Sequence, residues 1–262
     1  MIYVNITISS VKQALAYRIE FFTRMAGSLI ELLVLWFVWV SVFAASGLDV
    51  IGGFNFSTML TYLAVASMIR PLIGSIMDFS IEEDVRSGRI STILTKPVSY
   101  PLYKIFMGFS TFILSLFVNT LPIFLISFFI LRISLPVDLL SFSVSVVLGF
   151  FVSYLMIFLT GMWAFWSEGN IWGIKLSKDT ISDIMSGSIV PLYLFPDWIA
   201  NIAKMLPFQT IFNIPISIYL GKITGIEIFY SFLQQIFWIA ALGSVCYVVW
   251  KQAEKKVIAH GG

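Results

Sequence analysis

Between Glu82 and Arg89 the chain places five charged residues in eight positions, although charged residues make up only 11% of its length. Glu82, Glu83 and Asp84 are the one acidic run. They have no histidine and no second carboxylate motif nearby, which acid–base or metal-assisted chemistry would need. His260, the single histidine, lies two residues from the C-terminus, and Cys246 is the single cysteine. That leaves nothing from which to build a histidine metal site or an intrachain disulfide. A phosphate-cradling G-x-x-x-x-G-K-[ST] loop is also missing, since Gly221-Lys222 continues as Ile-Thr. No residue is therefore expected to do covalent catalysis, to bind a metal or to hold a cofactor. What remains for the charged run is recognition.

The pattern around that run predicts a short helix with a firm stop. Ser80 followed by Glu83 fits a capping box. Glu82, Glu83 and Asp84 would then occupy the first turn, where negative charge suits the helix dipole. Arg86 falls toward the end, and Gly88 can adopt the left-handed conformation that terminates a helix. Ile90, Ile93 and Leu94 follow as an apolar stripe, and Pro97 and Pro101 impose an extended exit before Tyr103 and Lys104. Two readings stay open on these residues alone: a docking hairpin, or a solvated connecting loop with interfacial anchors.

The elements that would hold this segment are membrane spans. The chain is 59% hydrophobic with 25 phenylalanines, and its mean hydropathy is +0.95. Crossing a bilayer as a helix takes about 20 mostly apolar residues. Six stretches are read as spans: 25–45, 56–79, 105–131, 139–166, 180–195 and 228–250. The fifth is short and contains Gly and Ser. The fold class is thus all-α integral membrane, a single domain over 1–262, with no cleavable signal expected before the first span.

Lysine and arginine set the orientation. With both termini inside, the cytoplasmic set runs from Lys12, Arg18 and Arg24 through Arg86, Arg89, Lys96, Lys104, Lys175 and Lys178 to Lys251, Lys255 and Lys256. That is twelve, against Arg132, Lys204 and Lys222 outside. The charged run is then cytoplasmic, within a loop over 80–104, and the expected location is the plasma membrane.

Two flanking regions have their own character. In 1–24, Val11, Leu15, Ile19 and Phe22 recur at helical spacing among basic residues, predicting a helix that lies in the cytoplasmic interface. In 191–222, Pro191, Pro196, Pro207 and Pro215 cut an apolar stretch into pieces too short to span. Trp198, Ile202 and Met205 share one face of such a piece. Short re-entrant helices between spans five and six are the expectation, since irregular backbone at membrane depth must pack against protein or line a wet cavity.

Charges within spans are costly and mark candidate sites. Glu31 and Arg70 both fall roughly 10 Å into the bilayer from the same side, so they form a candidate intramembrane ion pair. The alternative is that Arg70 reaches back to the interface beside Pro71. Asp78 is close enough to the interface to need no explanation. Asn119 and Pro122 predict a kink, and the aromatics of 162–173 an interfacial belt.

The stretch "RSGRISTILTKPVSYPLYKIFMG" resembles the signature loop of the ABC type-2 permease family, the membrane subunits of ATP-driven exporters. "FWSEGNIWG", the Ser-Gly before an apolar-Pro step, "LPF" and the proline ahead of Leu220-Gly221 are similar to a second motif of that family. The resemblance covers most of 56–250. It implies that the loop after the second span is a coupling helix seated on a separate nucleotide-binding subunit, with Glu82, Glu83, Arg86, Ser87, Gly88, Arg89 and Pro97 at or near the contact. It also implies two copies of an ABC ATPase that bind the ATP and magnesium, and a second permease subunit, identical or paralogous, in a shared bilayer with membrane lipids. No nucleic-acid partner is expected. The implied role is export of a hydrophobic or amphipathic substrate. A lipid-modifying membrane enzyme and a non-transporting assembly factor are the alternatives.

Overall fold

Helices dominate because backbone in lipid must satisfy its own hydrogen bonds. The computed structural model describes residues 2–16, 18–73, 77–167 and 170–261. In chain order the helices are α1 (Ile2–Ala16), α2 (Arg18–Ser46), α3 (Phe56–Ile73), α4 (Met77–Arg86), α5 (Arg89–Leu94), α6 (Tyr100–Ser115), α7 (Leu121–Phe129), α8 (Leu139–Met162), α9 (Trp172–Met185), α10 (Asp197–Met205), α11 (Asn213–Tyr219) and α12 (Ile226–Gly261). A two-stranded hairpin, β1 (Val50–Ile51) and β2 (Phe54–Asn55), joins α2 to α3.

Five stretches are helical, long and apolar enough to cross a membrane: Met25–Ser46, Phe56–Arg86, Tyr100–Phe129, Leu139–Phe165 and Ile226–Val257. The second includes residues that lie outside the described set. Direction is readable from contact registers. Ile73 accepts from Ser153, and Ile81 packs where a Cβ on Gly161 would sit 2.8 Å from its Cδ1, so α3–α4 and α8 run parallel. Gln235 with Ser145, Cys246 with Leu155 and Lys256 with Phe165 put α12 parallel to α8 as well. The α6–α7 rod is antiparallel to α3–α4, with Thr120 donating to Met68 O and Lys104 to Ser80. A π-helical turn at Leu116–Thr120 separates α6 from α7 in the stretch where a kink was expected, and Asn119 is fully buried there.

The fifth expected span is not one helix over 180–195. The helix α9 ends at Met185, Gly187 takes a positive φ of 78°, and a short turn over Leu192–Leu194 follows. This segment nevertheless tracks α3 in reverse. Asp183 meets Arg70, Gly187 accepts from the Tyr62 hydroxyl, and Tyr193 packs on Phe54. The helix stops short because its tail reads Ser-Gly-Ser before Pro191, and glycine and proline both disfavour continuation.

Residues 197–222 then return to the same level. Phe212 lies under the Arg70 guanidinium at 5.7 Å, while Lys222 stands 3.2 Å from the centroid of the Phe54 ring. Arg70 is about 21 Å along the helix from Phe56, where α3 begins. The chain therefore goes from the Phe54 end to the Arg70 level and back. Trp198, Ile202 and Met205 do share an exposed face on α10.

The N-terminal stretch divides differently from the single helix expected over 1–24. Residues 2–16 form α1, which packs along α6, with Thr7 donating to Phe106 O. From Arg18 onward the chain already belongs to α2, because nothing between Arg18 and Met25 breaks a helix. Leu15 and Ile19 have side chains outside the described residues.

Candidate functional site

The charged run forms a helical hairpin at one end of the bundle. Its first arm, α4, is already helical at Met77, four residues before the Ile81 start that a cap at Ser80 would give. Ser80 is inside the helix, and its hydroxyl accepts from Lys104 Nζ at 2.7 Å instead of capping. Glu82 and Glu83 therefore lie past the first turn of the helix. The stop falls at Gly88, with φ 69° and ψ 4°, and α5 starts at the next residue. A β-branched side chain resists that conformation, although no atom lies within 4 Å of a Cβ built there. Backbone shape, not space, dictates the glycine.

The hairpin is exposed at its tip and anchored at its root. Glu83, Arg86, Ser87, Gly88, Arg89, Lys96 and Pro97 are exposed, and Glu82 is half-buried. Arg86 lies 4.0 Å from Glu82 one turn back, and Ser87 donates to Glu83 O at 2.6 Å. Below them Ile81, Ile90 and Ile93 are buried in the main core.

The anchor is Asp84, which is 1% exposed. Its Oδ1 accepts from Arg89 Nε at 2.6 Å and lies 2.5 Å from the same guanidinium's terminal nitrogen. Its Oδ2 accepts from the Tyr100 hydroxyl at 2.9 Å and pairs with Lys104 Nζ at 2.7 Å. Four donors on one buried carboxylate meet the condition under which a buried charge is tolerated. The bond to Asp84 also raises the Arg89 pKa, so its guanidinium stays charged. Arg89 thus serves the hairpin's own architecture as well as its surface.

A second charge network lies deeper. Arg70 Nε is 3.2 Å from Glu31, and its NH1 is 2.9 Å from Asp183. The same guanidinium donates to Ser188 at 3.1 Å. The structure thus brings the two expected partners together and adds a third charge from α9. Asp78 is not a free interfacial acid. It is fully buried and pairs with Lys175 at 3.0 Å, with Lys178 at 3.9 Å. Lys175 and Lys178 also hold Asp179 at 2.8 Å.

Asp84, Asp78 and Asp183 are the residues the sequence reading missed. One signal was available. Asp78, Ile81 and Asp84 recur three residues apart, which puts both acids on the apolar face of α4. Trp163, Trp166 and Trp172 are exposed, in keeping with an interfacial belt. Among the described residues, no group of three metal-ligating side chains occurs.

Packed apolar helices around internal ion pairs define a multi-pass all-α membrane protein. More narrowly, residues 29–261 match the ABC-2 family transporter protein family, and the chain belongs to it. A comparison with curated proteins gives no match.

Proposed function

We propose that this chain is the membrane-spanning permease subunit of an ATP-driven exporter, and that 82–97 is where a separate ABC ATPase engages it. The observation that carries the proposal is the hairpin: its tip is exposed while its root is bolted to α6 through Asp84. Force applied to a floppy loop dissipates, whereas force on this tip reaches the bundle. Family membership supports the partnership with an ABC ATPase. Two ATPase copies, holding the ATP and magnesium, would close on nucleotide binding and move the hairpins of two permease subunits between inward- and outward-open arrangements. A second permease is supported by α9, none of whose residues is buried. Glu82, Glu83, Arg86, Ser87, Gly88 and Pro97 form the contact, with Arg89 at its edge.

In this reading 172–195 is the fifth of six crossings, broken at Gly187, and 197–222 is re-entrant from the outer side. Both termini and the hairpin are cytoplasmic at the plasma membrane. The cargo is hydrophobic or amphipathic. A lipid-modifying enzyme finds little support in the acidic run, because both oxygens of Asp84 are already engaged.

A photo-reactive residue in place of Ser87 tests the contact directly. It should crosslink to an ABC ATPase in native membranes, and the same probe at Gly47, at the other end of α2, should not. Crosslinking at Gly47 alone would overturn the assignment. Uptake of an amphipathic dye by inverted vesicles should require ATP and that ATPase.

A further inference from the structure

A cleft of about 530 Å³ opens beside the hairpin root, between the start of α6, α8 and α12. Its walls are apolar and aromatic, with Tyr154 and Phe158 from α8 and Cys246 and Trp250 from α12. The Tyr100 and Trp250 rings stack at 5.1 Å and an interplanar angle of 14° within it. Gly243 leaves a notch in the α12 wall, where an added Cβ would meet nothing within 4 Å.

One end of this cleft is polar. Lys251 and Glu254 line it, and they bond to each other at 2.9 Å. The α12 turn beyond adds Lys255 and Lys256, so this end of the helix carries three lysines and one glutamate. Lys255 follows Lys251 by four residues and shares its helix face. Lys256 is already engaged, donating to Phe165 O at 2.6 Å. An apolar slot of pocket size, running from membrane-spanning helices to a net-positive rim, matches the chemistry of an anionic phospholipid.

We propose that this cleft binds one anionic phospholipid from the leaflet on the hairpin's side. An acyl chain lies along Gly243 and Cys246 against Tyr154, and the phosphate meets Lys251 and Lys255. The site would bear on transport, because the Tyr100 ring in its wall carries the hydroxyl that bonds Asp84. The proposal needs only that the chain spans a bilayer, and holds whether or not the hairpin meets an ATPase.

Native mass spectrometry of the full chain tests it, with phosphatidylglycerol and phosphatidylcholine of identical acyl chains added in turn. One phosphatidylglycerol should be retained about five-fold more than phosphatidylcholine, the factor one surface lysine provides. Gly243→Phe, which fills the notch, should lose that adduct at an unchanged melting temperature. Gly243→Ala should keep it. Lys251→Glu should abolish the preference without filling the cleft, and so serves as the arm independent of packing at Gly243. Equal retention of both lipids by the wild type, or full phosphatidylglycerol retention by both Gly243→Phe and Lys251→Glu, would overturn the site.

Discussion

Asp84 and Lys104 meet at 2.7 Å with each side chain only 1% exposed, at the point where the hairpin leaves the bundle. Their link ties α4 to α6, and Lys104 extends it to Ser80 on the same hairpin arm. Asp84→Ala strands the Lys104 ammonium in the core. Removing one partner of a buried pair costs about 3–5 kcal/mol. The variant should melt well below the wild type, and Asp84→Ala combined with Lys104→Met should recover part of the loss. Thermal unfolding of the purified chain decides this; a double variant no better than the single would deny the coupling.

Arg70 serves two carboxylates, so its loss and theirs should differ. Arg70→Met leaves Glu31 and Asp183 facing each other without the cation between them. Glu31→Gln leaves the Asp183 contact in place. Folded yield should therefore fall more for Arg70→Met than for Glu31→Gln. Arg70→Met with both carboxylates made amides should regain yield, since neutral groups are cheaper to bury than unpaired charges. Equal yields for the two single variants would mean that Asp183 contributes nothing.

The apolar spans were legible because a bilayer imposes a length that few other structures need. The bounds of the fifth were harder to read, because its helix starts at Trp172 and the charges Lys175, Lys178 and Asp179 precede the apolar run over 180–195. Asp179 is held within α9 by the two lysines, whereas Asp183 and the lysines also need partners on α3 and α4. The hairpin's stop at Gly88 could be read from one glycine after a charged turn. Its anchor could not, because Tyr100 lies beyond Pro97 and Lys104 beyond both Pro97 and Pro101. Local helix signals assigned Ser80 a capping role that its bond to Lys104 replaces. Burial of Asp78 was likewise hidden, since its lysine partners sit on α9.

Asp138 caps α8 by accepting from the Ser141 backbone N–H at 3.0 Å. Hydrogen bonding to Ser141 holds its carboxyl below the ordinary aspartate value. A depressed folded pKa adds stability above the unfolded pKa of about 3.9 and loses it as pH falls through the folded one. The small advantage of the wild type over Asp138→Ala should thus be complete at neutral pH and fade in acid. Thermal melts across that range check it; a gap that widens in acid would reverse the sign.

Gly88 separates shape from charge. Its φ of 69° suits glycine and, less well, asparagine. A β-branched residue held there costs about 1–3 kcal/mol. Gly88→Asn should preserve recovery of the ATPase with the chain, and Gly88→Val should reduce it. The spans are untouched, so membrane insertion should be normal for both. Identical recovery with Asn and Val would show that the left-handed turn is irrelevant to the contact.

The most direct measurement is co-purification of the ABC ATPase with Glu83→Lys. Glu83 is exposed at the hairpin tip and has no part in the Asp84 anchor. Reversing its charge at an interface creates repulsion in place of attraction, which costs more than simple loss. ATPase recovery should fall sharply while expression, insertion and melting temperature of the chain stay at wild-type values. Wild-type recovery together with undiminished transport would contradict the account and leave 82–97 as a solvated loop.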